Sequence, residues 1–329
     1  MMKFSHIVIA FITFFASAGM AVSQTSSGTQ EYGDGGAYEG EFLNGLPHGN
    51  GTYELPNGYR YVGEWFEGEI NGQGEALFPN GSVYIGSFVK GKPEGSGKIT
   101  FTDGGTYEGE WANGSITGEG YAKYANGTTY QGTFLDAMHD GKGIMKSPDG
   151  YIYDGTWENG VKQGKAMVTY PDGSIYTGEV SQGLREGSGR LEMLEGLAYE
   201  GTWKAGEING EGKLSQKNGD VYVGTLVNGR REGLGKVTYA NGDIYEGNFS
   251  DDQRSGRGKF IGADGYKYEG SWQEGQIKGE GEVIYPDGSR YVGTFTNGLA
   301  DGLGEIIYPD GSSYSGEWVA GVIEGKGKA

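Results

Sequence analysis

Residues able to act as nucleophiles or strong bases are few and scattered. The chain has 3 His and no Cys, and no Ser lies in a nucleophile elbow. His6 lies in an apolar N-terminal segment, while His48 and His139 are isolated from each other and from other candidate groups. The sequence therefore contains no recognisable catalytic set.

Carboxylates are abundant but repeat in equivalent places. Glu108 and Glu110 are typical of pairs that recur along the chain in solvated settings. General acid–base catalysis needs two carboxylates in different environments within a pocket. These pairs therefore indicate surface, and we predict that the protein is not an enzyme.

Two glycine-containing patterns could indicate ligand loops. Asp172-Gly173 and Asp287-Gly288 offer one acid per turn, often replaced by Asn in other turns, whereas calcium needs several converging oxygen ligands. Gly118-Glu119-Gly120 precedes a predicted strand, whereas phosphate loops open a helix. We predict no metal and no cofactor.

The charge balance excludes some partners. With 26 Lys+Arg against 44 Asp+Glu, the formal net charge is -18. Nucleic acid is disfavoured because phosphate binding requires a basic field. Anionic membrane surfaces are disfavoured for the same reason, although membrane association stays open.

Residues 1–23 have the order of a secretory signal peptide. Lys3 precedes an uncharged run from Phe4 to Val22, which closes in small residues. We expect cleavage after Ser23, with Ala18 as the alternative and a retained membrane anchor as the other possibility. The mature protein is then periplasmic or secreted.

A 23-residue period organises the rest of the chain. Tyr-x-Gly triplets begin at thirteen evenly spaced tyrosines: Tyr38, Tyr61, Tyr84, Tyr107, Tyr130, Tyr153, Tyr176, Tyr199, Tyr222, Tyr245, Tyr268, Tyr291 and Tyr314. With each Tyr at position 0, positions 2 and 11 are Gly in all thirteen repeats, and position 4 is Trp or Phe in eleven. Regularity of this kind predicts a repeat architecture over residues 38–329, preceded by a short linker, 24–37.

Each repeat has the pattern of a β-hairpin. Tyr38-Glu39-Gly40-Glu41-Phe42 and Gly281-Glu282-Val283-Ile284-Tyr285 alternate apolar with polar residues, as half-buried strands do. Asn or Asp at position 19 followed by Gly predicts tight turns between repeats. Within a repeat, we expect a loop over positions 5–11. The fold class is all-β, an elongated single-sheet solenoid of about thirteen antiparallel hairpins without helix after residue 24.

The repeat, typified by Tyr107-Glu108-Gly109-Glu110-Trp111-Ala112-Asn113-Gly114, resembles the MORN (membrane occupation and recognition nexus) repeat. The resemblance covers all but the first 37 residues. It implies scaffolding, cytoskeletal, membrane-junction or signalling roles. It does not indicate one function among them.

A second regularity divides the repeats into two classes. Trp occupies position 4 in six repeats, and five of these have Ile at position 9: Ile70, Ile116, Ile208, Ile277 and Ile323. We expect position 9 to lie in a loop at one edge of the sheet, where apolar and polar loops alternate as an interaction surface. The alternative is duplication history with compensating packing.

The alternation is interrupted where four arginines occur close together in sequence: Arg230, Arg231, Arg254 and Arg257. On an acidic chain they could form a basic recognition site for an acidic partner.

The last repeat stops at Ala329, position 15. With no further repeat after it, we expect the ring of Trp318 to be uncovered. A second copy or another protein could then pair there, giving a homo-oligomer through the C-terminal repeat, although a frayed end is the alternative.

The sequence thus favours a scaffold for protein–protein interaction whose partner it does not identify. Two other functions stay open. Rows of aromatic side chains could bind a carbohydrate or envelope polymer, and the family resemblance suggests membrane association.

Overall fold

The computed structural model describes residues 24–329, none of which is helical, so the predicted all-β class is confirmed. The proposed signal peptide, 1–23, lies outside the described residues. The chain divides into a first unit, Met1–Ile99, and a second, Thr100–Ala329.

The first unit holds seven strands, the last of which ends at its boundary. They are β1 (Thr25–Glu31), β2 (Ala37–Leu43), β3 (Leu46–Glu54), β4 (Arg60–Phe66), β5 (Glu69–Leu77), β6 (Val83–Val89) and β7 (Lys92–Thr100). From β1 to β6, each strand pairs antiparallel with the next in chain order.

The second unit holds twenty strands with the same nearest-neighbour pairing, from β8–β9 to β26–β27. They are β8 (Thr106–Ala112), β9 (Ser115–Lys123), β10 (Thr129–Leu135), β11 (Met138–Lys146), β12 (Ile152–Glu158), β13 (Val161–Thr169), β14 (Ile175–Ser181), β15 (Leu184–Glu192), β16 (Ala198–Lys204), β17 (Glu207–Ser215), β18 (Val221–Val227), β19 (Arg230–Thr238), β20 (Ile244–Ser250), β21 (Gln253–Ile261), β22 (Lys267–Gln273), β23 (Gln276–Ile284), β24 (Arg290–Thr296), β25 (Leu299–Ile307), β26 (Ser313–Val319) and β27 (Val322–Lys328).

The prediction of a loop over positions 5–11 of each repeat is wrong, because the two strands are joined by a turn of only two residues. Between β16 and β17 these are Ala205 and Gly206, with φ of 49° and 88°. Two consecutive residues with positive φ make the tight turn that matches the twist of a hairpin. Asn-Gly pairs such as Asn113-Gly114 carried that signal in the sequence. Positions 8–11 therefore belong to the second strand.

A bulge on the second strand follows the turn, as the register shifts of twelve repeats show. In β16 and β17, Gly201 faces Gly212 and Trp203 faces Ile208, so the second strand has two extra residues between these pairs. Gly210, at position 11, lies in this bulge with φ of 109°, a conformation that favours glycine. The position-11 glycine is thus required by the backbone.

The position-0 tyrosine packs on the two glycines beside the bulge. A Cβ on Gly212 would overlap the ring of Tyr199, and one on Gly201 would overlap the Tyr199 hydroxyl oxygen and the facing backbone. The Tyr199 hydroxyl donates to the backbone carbonyl of Thr202, at 3.0 Å. All thirteen repeats make the equivalent bond, at 2.7 to 3.4 Å. Burial raises the pKa of the Tyr176 hydroxyl to about 12.

The predicted turns between repeats are confirmed. The backbone N–H of Ser289 donates to Asp287 Oδ1 at 2.8 Å, and Gly288 has φ of 91°. The turn closes with the N–H of Tyr285 donating to the carbonyl of Ser289, at 2.8 Å. The repeated Asp and Asn side chains therefore cap turns.

The prediction of a linker over 24–37 is wrong, because this segment contains strand β1. Thr25–Glu31 pairs with β2 along its whole length, with Gly28 opposite Gly40. Asp34 and Gly35 then form the same capped turn as between repeats, with Gly36 N–H donating to Asp34 Oδ1 at 2.9 Å. This is the second half of a repeat without its tyrosine, so the period could not reveal it.

Positions 0, 2, 4 and 9 lie on one side of the sheet in each unit, here named the tyrosine face. It carries the buried side chains, such as Tyr199 and Trp203, which are each 2% exposed. The opposite side carries exposed residues such as Glu200 and Lys213. The core is therefore confined to one side.

We predict that removing one position-0 hydroxyl destabilises the fold measurably. Tyr176→Phe leaves the carbonyl of Glu179, which lies opposite the bulge, without its tyrosine donor, and this costs about 1–3 kcal/mol of unfolding free energy. The matched control is Tyr308→Phe, whose ring is 37% exposed and should change stability by less than about 0.5 kcal/mol. Urea unfolding compares the two; equal losses would contradict the role given to the buried hydroxyl.

We also predict a stabilising substitution at a turn. Ala137 has φ of 63° at position 7, where eleven other repeats have Gly. Ala137→Gly should raise the unfolding free energy by about 1 kcal/mol, because the left-handed conformation is unfavourable for residues with a Cβ. The reciprocal Gly160→Ala should lower it by a similar amount. Thermal unfolding measures both, and a destabilising Ala137→Gly would contradict the interpretation.

Candidate functional site

Position 9 lies on a strand of the tyrosine face, so its predicted place in an edge loop is wrong. In register it faces position 4 of the same repeat, as Ile208 faces Trp203. The five isoleucines all pair in this way with a tryptophan: Ile70, Ile116, Ile208, Ile277 and Ile323. Ile70 is buried, Ile116, Ile208 and Ile277 are half-buried, and Ile323 is exposed. They do not form a row of apolar loops.

Packing connects neighbouring repeats of the two classes. In the second unit, several position-9 side chains rest on the position-4 aromatic of the next repeat, as Arg185 does on Trp203 and Arg254 on Trp272. No repeat that precedes a Trp repeat has Ile at position 9. The Ile side chains instead lie opposite the Trp of their own repeat in five repeats.

Five polar side chains occupy position 9 in the second unit, and they are named here the position-9 row. They are His139, Lys162, Arg185, Arg231 and Arg254, all half-buried.

His139 begins the row, enclosed by aromatic rings. Its imidazole stacks on Tyr130 at 3.7 Å between centroids and meets Trp157 edge-on at 4.8 Å. The hydroxyl of Tyr124 lies 2.6 Å from Nε2. Burial lowers the pKa of His139 to about 4, so this residue is neutral at pH 7.

Lys162 and Arg185 follow in the next two repeats. Lys162 Nζ lies 4.4 Å from the ring centre of Tyr151 and donates to its hydroxyl at 2.9 Å. The Arg185 guanidinium lies 4.1 Å from the ring centre of Trp203 and donates one bond to the carbonyl of Gly206, at 2.7 Å. Within residues 24–329, neither cation has a carboxylate at salt-bridge distance. Both keep donors available for a ligand.

The four arginines predicted as a basic spot do not act as one. Arg230 pairs with Asp251, and Arg231 pairs with Asp252 at 3.2 Å. Arg254 stacks on Trp272 at 4.8 Å. Arg257, at position 12, is exposed on the face opposite the tyrosine face.

Asp252 explains the arrangement around Arg231. It occupies position 7, normally Gly, with φ of 67°. The Arg231 backbone N–H donates to Asp252 Oδ1 at 2.9 Å, and its Nη2 donates to the Asp252 carbonyl at 2.6 Å. These bonds stabilise a turn that has Asp252 in place of the usual glycine, so Arg231 has a structural role.

Two shallow clefts flank Arg254. One, of about 390 Å³, is lined by Tyr239, Phe260, Asp220 and Asp243 among others. The other, of about 300 Å³, is lined by Phe260, Tyr266, Trp272 and Ile277 with other residues. Arg254 Nη2 donates to the Tyr239 hydroxyl at 2.7 Å. Aromatic rings and polar groups thus converge on both sides of this guanidinium.

Trp318 is covered, contrary to expectation. It is 7% exposed, packs on Tyr291 at 5.1 Å and donates from Nε1 to the carbonyl of Gly304 at 3.3 Å. Trp203, Trp272 and Trp318 each pack on the tyrosine of the preceding repeat, so the last ring needs no successor. The uncovered-ring argument for association through this repeat therefore no longer holds.

Among residues 24–329 there is no group of three or more His, Cys, Asp or Glu placed to hold a metal ion. No helix in that range is long and apolar enough to cross a membrane. The side chains that converge can donate hydrogen bonds and stack, which is the chemistry of binding.

The MORN repeat family profile matches thirteen consecutive segments of the chain. They are residues 38–58, 61–83, 84–106, 107–129, 130–150, 153–175, 176–192, 199–221, 222–244, 245–265, 268–290, 291–313 and 314–329. No curated protein matches the chain.

Solved structures are similar only at low levels. The TCP domain of SAS-4 (dCPAP) from Drosophila melanogaster, in complex with a proline-rich motif of Ana2 (dSTIL), is 19% identical with a TM-score of 0.31, covering 47% of this chain and 85% of that one. The TCP10 domain of CPAP from Danio rerio, in complex with a STIL peptide, is 15% identical with a TM-score of 0.29, covering 81% and 93%. A streptogramin B lyase is 13% identical with a TM-score of 0.14, covering 91% and 92%.

We predict that His139 makes stability pH-dependent. Its folded pKa of about 4 lies below the ordinary value of 6.5, so the unfolded chain binds the proton more readily. Its contribution to stability is complete above pH 6.5 and is lost as the pH falls towards 4. His139→Phe keeps a ring on Tyr130 but cannot titrate. Urea unfolding at several pH values should therefore show a shallower acid loss in the variant, and parallel curves would contradict the prediction.

Proposed function

Because the chain belongs to the MORN repeat family, we propose that it is a non-enzymatic scaffold that holds another protein on its tyrosine face. The observation that carries the proposal is the contrast between two sets of positions. Tyrosine and glycine at positions 0, 2 and 11 never change, whereas position 9 of the second unit varies from His to Lys, Arg, Ile and Ala. A constant frame with a varied row is a way to build a specific surface.

The position-9 row supports recognition of a partner rather than chemistry on it. Lys162 and Arg185 are held against rings, which restricts their side chains before any ligand arrives. Preorganised side chains lose less entropy on binding. Burial lowers the pKa of Lys162. An anionic group of a partner placed beside it would oppose this effect and favour the charged form of the amine.

We infer further that the protein works outside the cytoplasm. The support is the charge and length pattern of residues 1–23, which is that of a signal peptide. Export places the binding surface in a periplasmic or extracellular setting. N-terminal sequencing of the mature protein tests this inference, because an intact Met1 would contradict cleavage.

Affinity capture from the native extract tests the scaffold. The bait is the tagged mature protein, compared with a Lys162→Ala/Arg185→Ala double variant of confirmed β-structure. The control is Lys213→Ala/Lys236→Ala, which removes two exposed cations from the opposite face. We expect a specific partner bound by the wild type and the control but several-fold less by the double variant. Equal capture by all three would contradict the assignment to the tyrosine face.

The clefts at Arg254 favour a second candidate, binding of a carbohydrate or envelope polymer. Tyr239 and Phe260 offer rings for stacking, and Asp220 and Asp243 offer hydrogen-bond acceptors beside the guanidinium. A glycan array with the wild type and with Arg254→Ala decides between the candidates. Saturable sugar binding that Arg254→Ala abolishes would favour the carbohydrate function, and an empty array would reject it.

A further inference from the structure

The position-9 row has a fixed spacing set by the sheet. His139, Lys162 and Arg185 belong to three consecutive repeats, and each repeat contributes two strands. Neighbouring strands lie about 4.7–4.9 Å apart, so equivalent residues recur about every 9.4–9.8 Å across the strands. A ligand that lies along the row must present its groups at that interval.

Three tyrosines lie beside this part of the row, although they are not at equivalent positions of their repeats. Tyr124 lies against His139, Tyr151 against Lys162, and Tyr170 near Arg185, whose charge acts on its hydroxyl. The rings of Tyr151 and Tyr170 are 6.1 Å apart and meet edge-on. The second unit therefore presents a strip of rings beside a strip of hydrogen-bond donors.

The spacing of the position-9 row fits one conformation of a peptide ligand better than the others. Polyproline II repeats its face every three residues, or about 9.3 Å, which falls within about 0.5 Å of the row. A helix returns to the same face after seven residues, about 10.5 Å, and misses by about 1 Å per repeat. A β-strand presents the same face every two residues, about 6.6 Å, or every four, about 13.2 Å, and neither distance matches the spacing of the row.

The charges of the row determine which side chains the ligand should carry. Lys162 and Arg185 have no carboxylate partner within residues 24–329, on a chain whose net charge is -18. Acidic groups three residues apart in polyproline II would meet both cations. His139, neutral at pH 7, would instead face an uncharged hydrogen-bonding residue of the ligand.

We propose that the strip formed by His139, Lys162 and Arg185 with Tyr124, Tyr151 and Tyr170 binds an acidic polyproline II segment of a partner protein, with carboxylates at residues i and i+3. This deepens the proposed function and rests on it. The tyrosine rings stack on the prolines, as in other aromatic grooves for this conformation. Tyrosine and cationic donors bond the backbone carbonyls, which polyproline II leaves free.

Fluorescence anisotropy with synthetic peptides tests the proposal. The probe is a labelled peptide of about fifteen residues built from Pro-Pro-Glu triplets, a sequence that favours polyproline II. Comparison peptides have the same composition with the Glu residues clustered, or Lys in place of Glu. We expect the triplet peptide to bind at least about tenfold more tightly than either, which is about 1.4 kcal/mol.

Variants connect the binding to the strip. Lys162→Ala and Arg185→Ala should each weaken binding several-fold, Lys162→Arg should restore most of it, and Lys213→Ala on the opposite face should leave it unchanged. Circular dichroism confirms that each variant keeps its β-structure. Equal affinity for triplet and clustered peptides, no effect of the two Ala variants, or equal binding of an acidic oligosaccharide would overturn the proposal.

The peptide measurements and the capture from extract together distinguish the polyproline II proposal from the scaffold proposal. If the partner captured from extract depends on Lys162 and Arg185 but the triplet peptide shows no preference, the scaffold stands and the polyproline II ligand is wrong. If capture is also insensitive to both residues, both proposals fail.

Discussion

The fold depends on one repeated contact, in which a tyrosine ring lies on two small residues, almost always glycines, and its hydroxyl donates to the carbonyl opposite a bulge. The bulge on the second strand interrupts the ladder opposite position 3, and the carbonyl of position 3 on the first strand then needs another donor. The tyrosine supplies that donor and fills the space that absent side chains leave. A sheet with one buried side has no second layer to cover it, so the ring must lie flat and close. Gly at positions 2 and 13 permits this, and Ala166 is the one substitution.

Most of the frame was predictable because it is periodic. The spacing of Tyr38 and its equivalents gave the repeats, and Asp-Gly gave the turns between them. The turn within the repeat was misplaced, because Gly at position 11 was taken as the end of a loop when it marks a bulge. Strand β1 could not be predicted, because Thr25–Glu31 has no apolar residue to show alternation. Its backbone pairs with β2 along its whole length.

The candidate site was less predictable, since it depends on contacts between neighbouring repeats. The arginines were noticed as charges, but Arg231 and Arg254 are set by Asp252 and Trp272, which lie in the next repeat. Lys162 was not noticed, although it alone breaks the pairing of Trp with Ile. This exception to the Trp–Ile pattern was the feature of the sequence that could have pointed to Lys162. Trp318 was taken as uncovered because the direction in which rings overlap cannot be read from a period.

The two-residue turn and the bulge lie wholly within a repeat, and this affects how such a chain can change in evolution. Losing or gaining a whole 23-residue segment preserves every register, whereas inserting one residue in a strand moves the side chains that follow it in that strand to the wrong side. Length is therefore the property that recombination between repeats can alter most freely. A longer or shorter row would measure out a longer or shorter stretch of its ligand, so copy number can tune affinity without any new kind of contact.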